Sequence, residues 1–95
     1  MKWEFSDVKN TAVFTTRQVV NEGMPILYVY HDEEDGAWQF HYGNNVSVED
    51  AMIVSLGMIV NLDDTLNQLF DLPLGWLATR KSINDSWEKK ENNYE

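Results

Sequence analysis

The sequence predicts an α+β fold, with a small antiparallel or mixed sheet, a central hairpin at about residues 26–42, and two or three short helices packed on one face. Three observations predict it. Residues 26–31 and 38–42 are two aromatic-aliphatic runs flanking an Asp-Gly turn signal. Leu66, Leu69 and Phe70 fall at i, i+3 and i+4, an apolar stripe of helical period. The order strand, helix, hairpin, helices, strand suits helices laid on one side of a sheet.

The elements follow in chain order. Residues 1–10 are polar apart from Trp3, Phe5 and Val8, and read as a lead-in or an edge strand. Thr11-Ala12-Val13-Phe14-Thr15 is β-branched and aromatic, hence a short strand. Thr16 then suits the cap of a helix through Asn21, which Gly23 and Pro25 stop. Ile26-Leu27-Tyr28-Val29-Tyr30-His31 is apolar on both faces, as a central strand is. Its return strand is Trp38-Gln39-Phe40-His41-Tyr42. A two-residue Asp35-Gly36 turn, preferred to a three-residue turn that would move Tyr28 and Tyr30 to the Trp38 face, pairs Glu34 with Ala37 and His31 with Phe40. Leu27, Val29 and His31 then share a face with Trp38, Phe40 and Tyr42. Tyr28, Tyr30 and Asp32 share the other with Gln39 and His41.

Ser47 is a capping residue ahead of Glu49 and Asp50. Residues 51–56 are open between helix and strand. Ser55 suits the cap of a helix through Val60, although Gly57 weakens it. Asp63 and Asp64 begin a further helix, which Pro73 ends. Residues 75–80 read as the last strand. The single domain is expected at 11–87, and 88–95 as a loose polar tail.

Sixteen acidic residues against 7 basic ones leave a formal net charge of −9. That excess repels nucleic-acid phosphates and anionic membrane surfaces, and favours a basic protein partner. The chain has no cysteine, which excludes disulfides, thiolate metal sites and cysteine nucleophiles. No run approaches the ~20 apolar residues of a membrane span. Residues 1–7 lack the apolar segment of a signal peptide, so the cytoplasm is the expected compartment.

Asp32-Glu33-Glu34-Asp35 is the densest acidic cluster. It reads either as a solvated turn or as a surface for a basic partner. It fails as an EF-hand loop, because the fifth and twelfth positions counted from Asp32 are Gly36 and Gly43. Asp63 and Asp64 are a second acidic pair. Trp87 lies among charges and reads either as an interface anchor or as a ring folded back over the sheet edge. Trp38 and Trp76 belong to the expected core. His31, Asp32 and His41 are a conceivable metal set, but the register turns the two histidines to opposite faces. No nucleophile elbow and no glycine-rich phosphate loop occurs. No catalytic residue, cofactor or metal is therefore expected.

One ordered series of motifs is familiar. It runs Ala12-Val13-Phe14-Thr15-Thr16-Arg17, Pro25-Ile26-Leu27-Tyr28-Val29-Tyr30-His31-Asp32-Glu33 and Asp35-Gly36-Ala37-Trp38-Gln39-Phe40. It continues with Val54-Ser55-Leu56-Gly57, Leu62-Asp63, Asp71-Leu72-Pro73-Leu74-Gly75-Trp76 and Arg80. The chain resembles, over residues 11–87, a bacterial domain-of-unknown-function family grouped with predicted immunity proteins of polymorphic toxin systems (the immunity protein thirty-three type). The resemblance implies an α+β fold, no catalytic residues, and binding of a cognate toxin inside the producing cell. An acidic inhibitor can mimic the phosphate that a basic nuclease toxin binds, and electrostatic steering speeds its association.

The expected function is thus a non-enzymatic acidic binding protein, an immunity protein that neutralises a bacterial toxin. Its expected partner-binding residues are Asp32, Glu33, Glu34, Asp35, Asp63, Asp64 and Trp87. The alternatives are a cytosolic interaction module without a toxin partner, and a metal-binding or enzymatic protein using the hairpin histidines.

Overall fold

The computed structural model of the protein describes residues 3–92. Residues 1–2 of the lead-in and 93–95 of the tail lie outside the described residues. The fold is α+β: a six-stranded mixed sheet in the order β4-β1-β3-β2-β5-β6, with short helices on one face. The strands are β1 (Ala12–Thr16), β2 (Tyr28–His31), β3 (Trp38–His41), β4 (Ala51–Ser55), β5 (Trp76–Thr79) and β6 (Glu88–Glu91). The β1–β3 pair is parallel and every other pair is antiparallel. Helix α1 spans Arg17–Asn21 and α2 spans Leu56–Leu62.

Strand alternation sorts the residues into two faces. On the inner face Val13, Val29, Trp38, Phe40 and Ala78 meet Val19 of α1 and Leu56, Ile59 and Val60 of α2 in one core. Phe5 joins that core, so the lead-in packs inward and forms no strand over residues 3–10. On the outer face the register sets Ile53, Phe14, Gln39, Tyr30 and Leu77 in one row. The next row holds Ala51, Thr16, His41, Tyr28 and Thr79, taking Thr16 and His41 as neighbours two residues beyond the Phe14–Gln39 pair.

The hairpin departs from the expected register by two residues. His31 pairs with Trp38 and Val29 with Phe40. A two-residue turn of the expected type needs positive φ at both Asp35 and Gly36. Only Gly36 adopts it, at φ +73°. The loop instead takes four residues, 33–36, closed by Asp32 N–H to Ala37 O at 2.8 Å and Gly36 N–H to Asp32 O at 3.0 Å. The Asp35 carboxylate accepts from the Ala37 N–H at 3.0 Å. A shift of two preserves the parity of the strand, so both faces keep the residues expected of them.

Residues 51–55 resolve as strand β4, beyond the 3₁₀ turn Val48–Asp50 that Ser47 caps. Ser55 caps α2 by accepting from the Met58 N–H at 3.1 Å. Gly57 has a reason to be there: its N–H reaches Lys9 O at 2.8 Å, and a Cβ would stand 3.2 Å from that oxygen. The segment expected as an α-helix after Asp63 is a 3₁₀ helix, Asp64–Leu69. Its period of three residues per turn buries Leu66 and Leu69, with Leu72 next in the series, and leaves Phe70 exposed. The tail is not loose throughout: Glu88–Glu91 pairs antiparallel with β5 and closes the sheet. All four side chains of β6 are exposed, and their charges protect that edge.

Candidate functional site

The expected partner residues divide in the structure. Glu33, Glu34 and Asp35 are exposed at the hairpin tip, and Asp64 is exposed at the start of the 3₁₀ helix. Asp32 is half-buried and accepts from Gln39 Nε2 at 2.6 Å. Asp63 is not a free carboxylate. It caps Thr65 (N–H to Oδ1, 3.0 Å) and bonds Arg80 Nη2 at 2.5 Å. Arg80 also donates to Ile26 O through Nε and Nη2, at 3.1 and 2.9 Å. Trp87 folds back over this group. Its ring centroid lies 4.1 Å from the Arg80 guanidinium carbon, and its indole N–H reaches Thr65 Oγ1 at 3.4 Å. The structure therefore gathers Asp32 to Asp35 in one place and Asp63 with Trp87 in another.

The two histidines stand on opposite faces. On the inner face His31 stacks on Trp38 at 3.9 Å, and its Nδ1 lies 2.7 Å from Leu72 O. A carbonyl only accepts, so Nδ1 carries the proton there. His41 faces outward. Among the described residues no group of three or more His, Cys, Asp or Glu is placed to hold a metal ion. No helix among them is long and apolar enough to cross a membrane.

The outer face carries a hollow of about 360 Å³ that sequence reasoning did not find. Thr16, Gln39 and His41 form its floor, Asp32 and Asp35 stand at one end, and Val46 and Val48 edge the other. A chain of hydrogen bonds orders the floor. Gln39 donates its amide to Asp32 at 2.6 Å, and its carbonyl lies 2.9 Å from His41 Nε2. The amide nitrogen faces the carboxylate, so the amide oxygen faces the ring. His41 Nε2 is then the donor, and Nδ1 presents a bare lone pair.

That lone pair has no partner in the described structure, although His41 is only 8% exposed. The hydroxyl of Thr16, which lines the same hollow, is likewise buried and unpartnered, at 1% exposure. Thr16 occupies the N-cap position of α1 but makes no side-chain cap bond. Its hydroxyl is thus withheld from the role its position suggests. Burial pushes the His41 imidazole below its usual value, and the Asp32 carboxylate pulls partly the other way. Larger hollows of about 540, 650 and 900 Å³ exist, but no residue with an unpartnered buried side-chain atom lines any of them among the described residues.

The far wall of the hollow is tied down. Asp50 accepts from Arg17 Nε at 2.9 Å and from Gln18 Nε2 at 2.8 Å, which clamps the Val48–Asp50 turn to α1. Both bonds hold the Asp50 carboxyl below the usual carboxylate range. Exposed apolar groups line or adjoin the hollow: Phe14 and Val48 (90% exposed) line it, and Ile53 (64% exposed) pairs with Phe14 beside it. Strand β4 is the outermost strand on this side and contains no charged residue and no proline. Such an edge offers its backbone to another chain.

No family model, curated protein or solved structure matches the chain.

Proposed function

We propose that the chain is a non-enzymatic binding protein that docks a basic protein partner on its outer sheet face, as an immunity protein docks the toxin it neutralises. One observation carries this reading: the outer face next to β4 is bare of α-helices, carries only the short Val48–Asp50 turn, and exposes Phe14, Val48 and Ile53, with exposed acids at the neighbouring hairpin tip. Apolar side chains supply area to bury, and the acid rim selects a partner of opposite charge. A second copy of the chain is disfavoured as occupant, since two formal charges of −9 repel. The contrast with β6 supports the choice of edge, because β6 is charged along its whole length and β4 is not.

Asp32 to Asp35 serve as the charged contact. Asp63 and Trp87 instead engage Arg80, as its ion-pair partner and as the ring against its guanidinium. The toxin identity of the partner rests on the family resemblance and on the acidity that suits a phosphate-binding target. The test is a titration of the chain with the product of the adjacent reading frame, at low and high salt, together with a growth-rescue assay. A one-to-one complex that weakens with salt, with rescue, supports the reading. Absence of both contradicts immunity toward that neighbour.

A further inference from the structure

We infer that the outer-face hollow is a receptor for a guanidinium group, and that it takes one arginine side chain of the docked partner. The inference rests on the docking reading above and names the group that anchors the complex. The hollow is rich in acceptors and, among the described residues, no lysine or arginine lines it. Asp32 and Asp35 each use one carboxylate oxygen internally, on Gln39 and on the Ala37 N–H, and among the described residues the other oxygen of each makes no hydrogen bond. His41 Nδ1 and Thr16 Oγ1 are buried and unpartnered on the floor. A buried polar atom without a partner has lost its hydrogen bonds to water, so a ligand that pairs it recovers that loss.

The ligand must bring several N–H donors and a positive charge. A guanidinium has five donors in a planar fork, is always charged, and is more weakly hydrated than an ammonium, so it enters a half-buried site more readily. One side of the fork suits a carboxylate at the mouth, and the remaining N–H groups suit the His41 lone pair. The apolar stem of an arginine lies against Phe14, Val48 and Ala51, which line the same hollow. A volume of about 360 Å³ accommodates one such side chain and is far from holding a folded segment.

The experiment uses the full chain labelled with ¹⁵N, observed at the ring nitrogens of His41 and the amide of Thr16, and titrated with N-acetyl-argininamide. The expected result is a saturable shift at His41 Nδ1, in the direction of a lone pair that gains a hydrogen bond. The neutral citrulline analogue is expected to give no saturable shift, and the lysine analogue a weaker one. Asp32→Asn, which still accepts from Gln39, is expected to weaken binding about tenfold, and Thr16→Val to weaken it with the fold retained. No shift with the arginine analogue overturns the assignment, as does equal binding of the citrulline or lysine analogue, or an unchanged affinity in Asp32→Asn. The two readings fail separately. Analogue binding without any protein complex removes the docking reading and keeps the pocket. A protein complex unaffected by Asp32→Asn removes the pocket's role and keeps the docking.

Discussion

Arg80 reaches Asp63 at 2.5 Å from inside the protein, its own side chain only 1% exposed. The pair joins the end of β5 to the start of the 3₁₀ helix, and the guanidinium holds Ile26 O from the same position. Asp63→Ala leaves a buried cation without its partner and removes the cap on Thr65. The expected loss of unfolding free energy is about 3–5 kcal/mol, read from urea denaturation. A loss below 1 kcal/mol would return Asp63 to the surface carboxylates.

The period of the segment after Asp63 has its own test. Leu66 is fully buried whereas Phe70, four residues on, is 38% exposed. Leu66→Ala is expected to cost about 2–5 kcal/mol, and Phe70→Ala about 0.5 kcal/mol. Equal costs would mean an α-helical stripe in which both side chains face the core.

His41 makes stability depend on pH. Its folded-state pKa lies below the ordinary 6.5, so the unfolded chain binds more protons between the two values. The contribution is therefore complete above pH 6.5 and is lost as pH falls through the lowered folded-state pKa. Asp32, the carboxylate that opposes the shift, is ordered through Gln39, and the Tyr30 ring lies 6.0 Å from the imidazole. Asp50 and Asp71 also have lowered pKa values, but starting from 3.8 they act at more acidic pH. Urea midpoints measured from pH 8 to pH 5 are expected to fall in the wild type and to stay flatter in His41→Gln. Parallel curves would remove His41 as the cause.

The hairpin loop depends on one backbone angle. Gly36 sits at φ +73° with ample space around it, so an alanine there meets backbone strain and no clash. Gly36→Ala is expected to cost about 1–2 kcal/mol, checked by thermal or urea unfolding. No loss would show that the loop has a second closed form free of positive φ.

Much of the fold was legible in residue pattern. The alternation of Trp38, Gln39, Phe40 and His41 assigned each side chain to the correct face, because a period of two survives a register error of two. Loop length was not legible. Asp35-Gly36 suits a two-residue turn by type, yet Asp35 uses its carboxylate on the Ala37 N–H instead of adopting positive φ. Strand β6 was hidden because Glu88-Lys89-Lys90-Glu91 has no apolar residue, and its pairing comes from the open edge of β5. Asp63 looked like a surface acid until Arg80, 17 residues later, was found beside it. The outer-face hollow had one visible signal: a histidine and a glutamine alternating on the same face of a strand, with an aspartate on the neighbouring strand's end. Thr16 gave none, since its place before a helix suggested an ordinary cap.

The most direct test of docking on the outer face compares three variants in binding the adjacent gene's product. Ile53→Asp alters the exposed apolar row, Glu33→Lys with Glu34→Lys reverses charge at the hairpin tip, and Leu62→Asp places the same new charge on exposed α2, in the helical layer. The expected result is a loss of affinity of about tenfold or more, or ~1.4 kcal/mol, for each outer-face variant, a flatter salt dependence for the charge reversal, and no change for Leu62→Asp. Wild-type affinity in both outer-face variants, or a loss confined to Leu62→Asp, would contradict docking on this face.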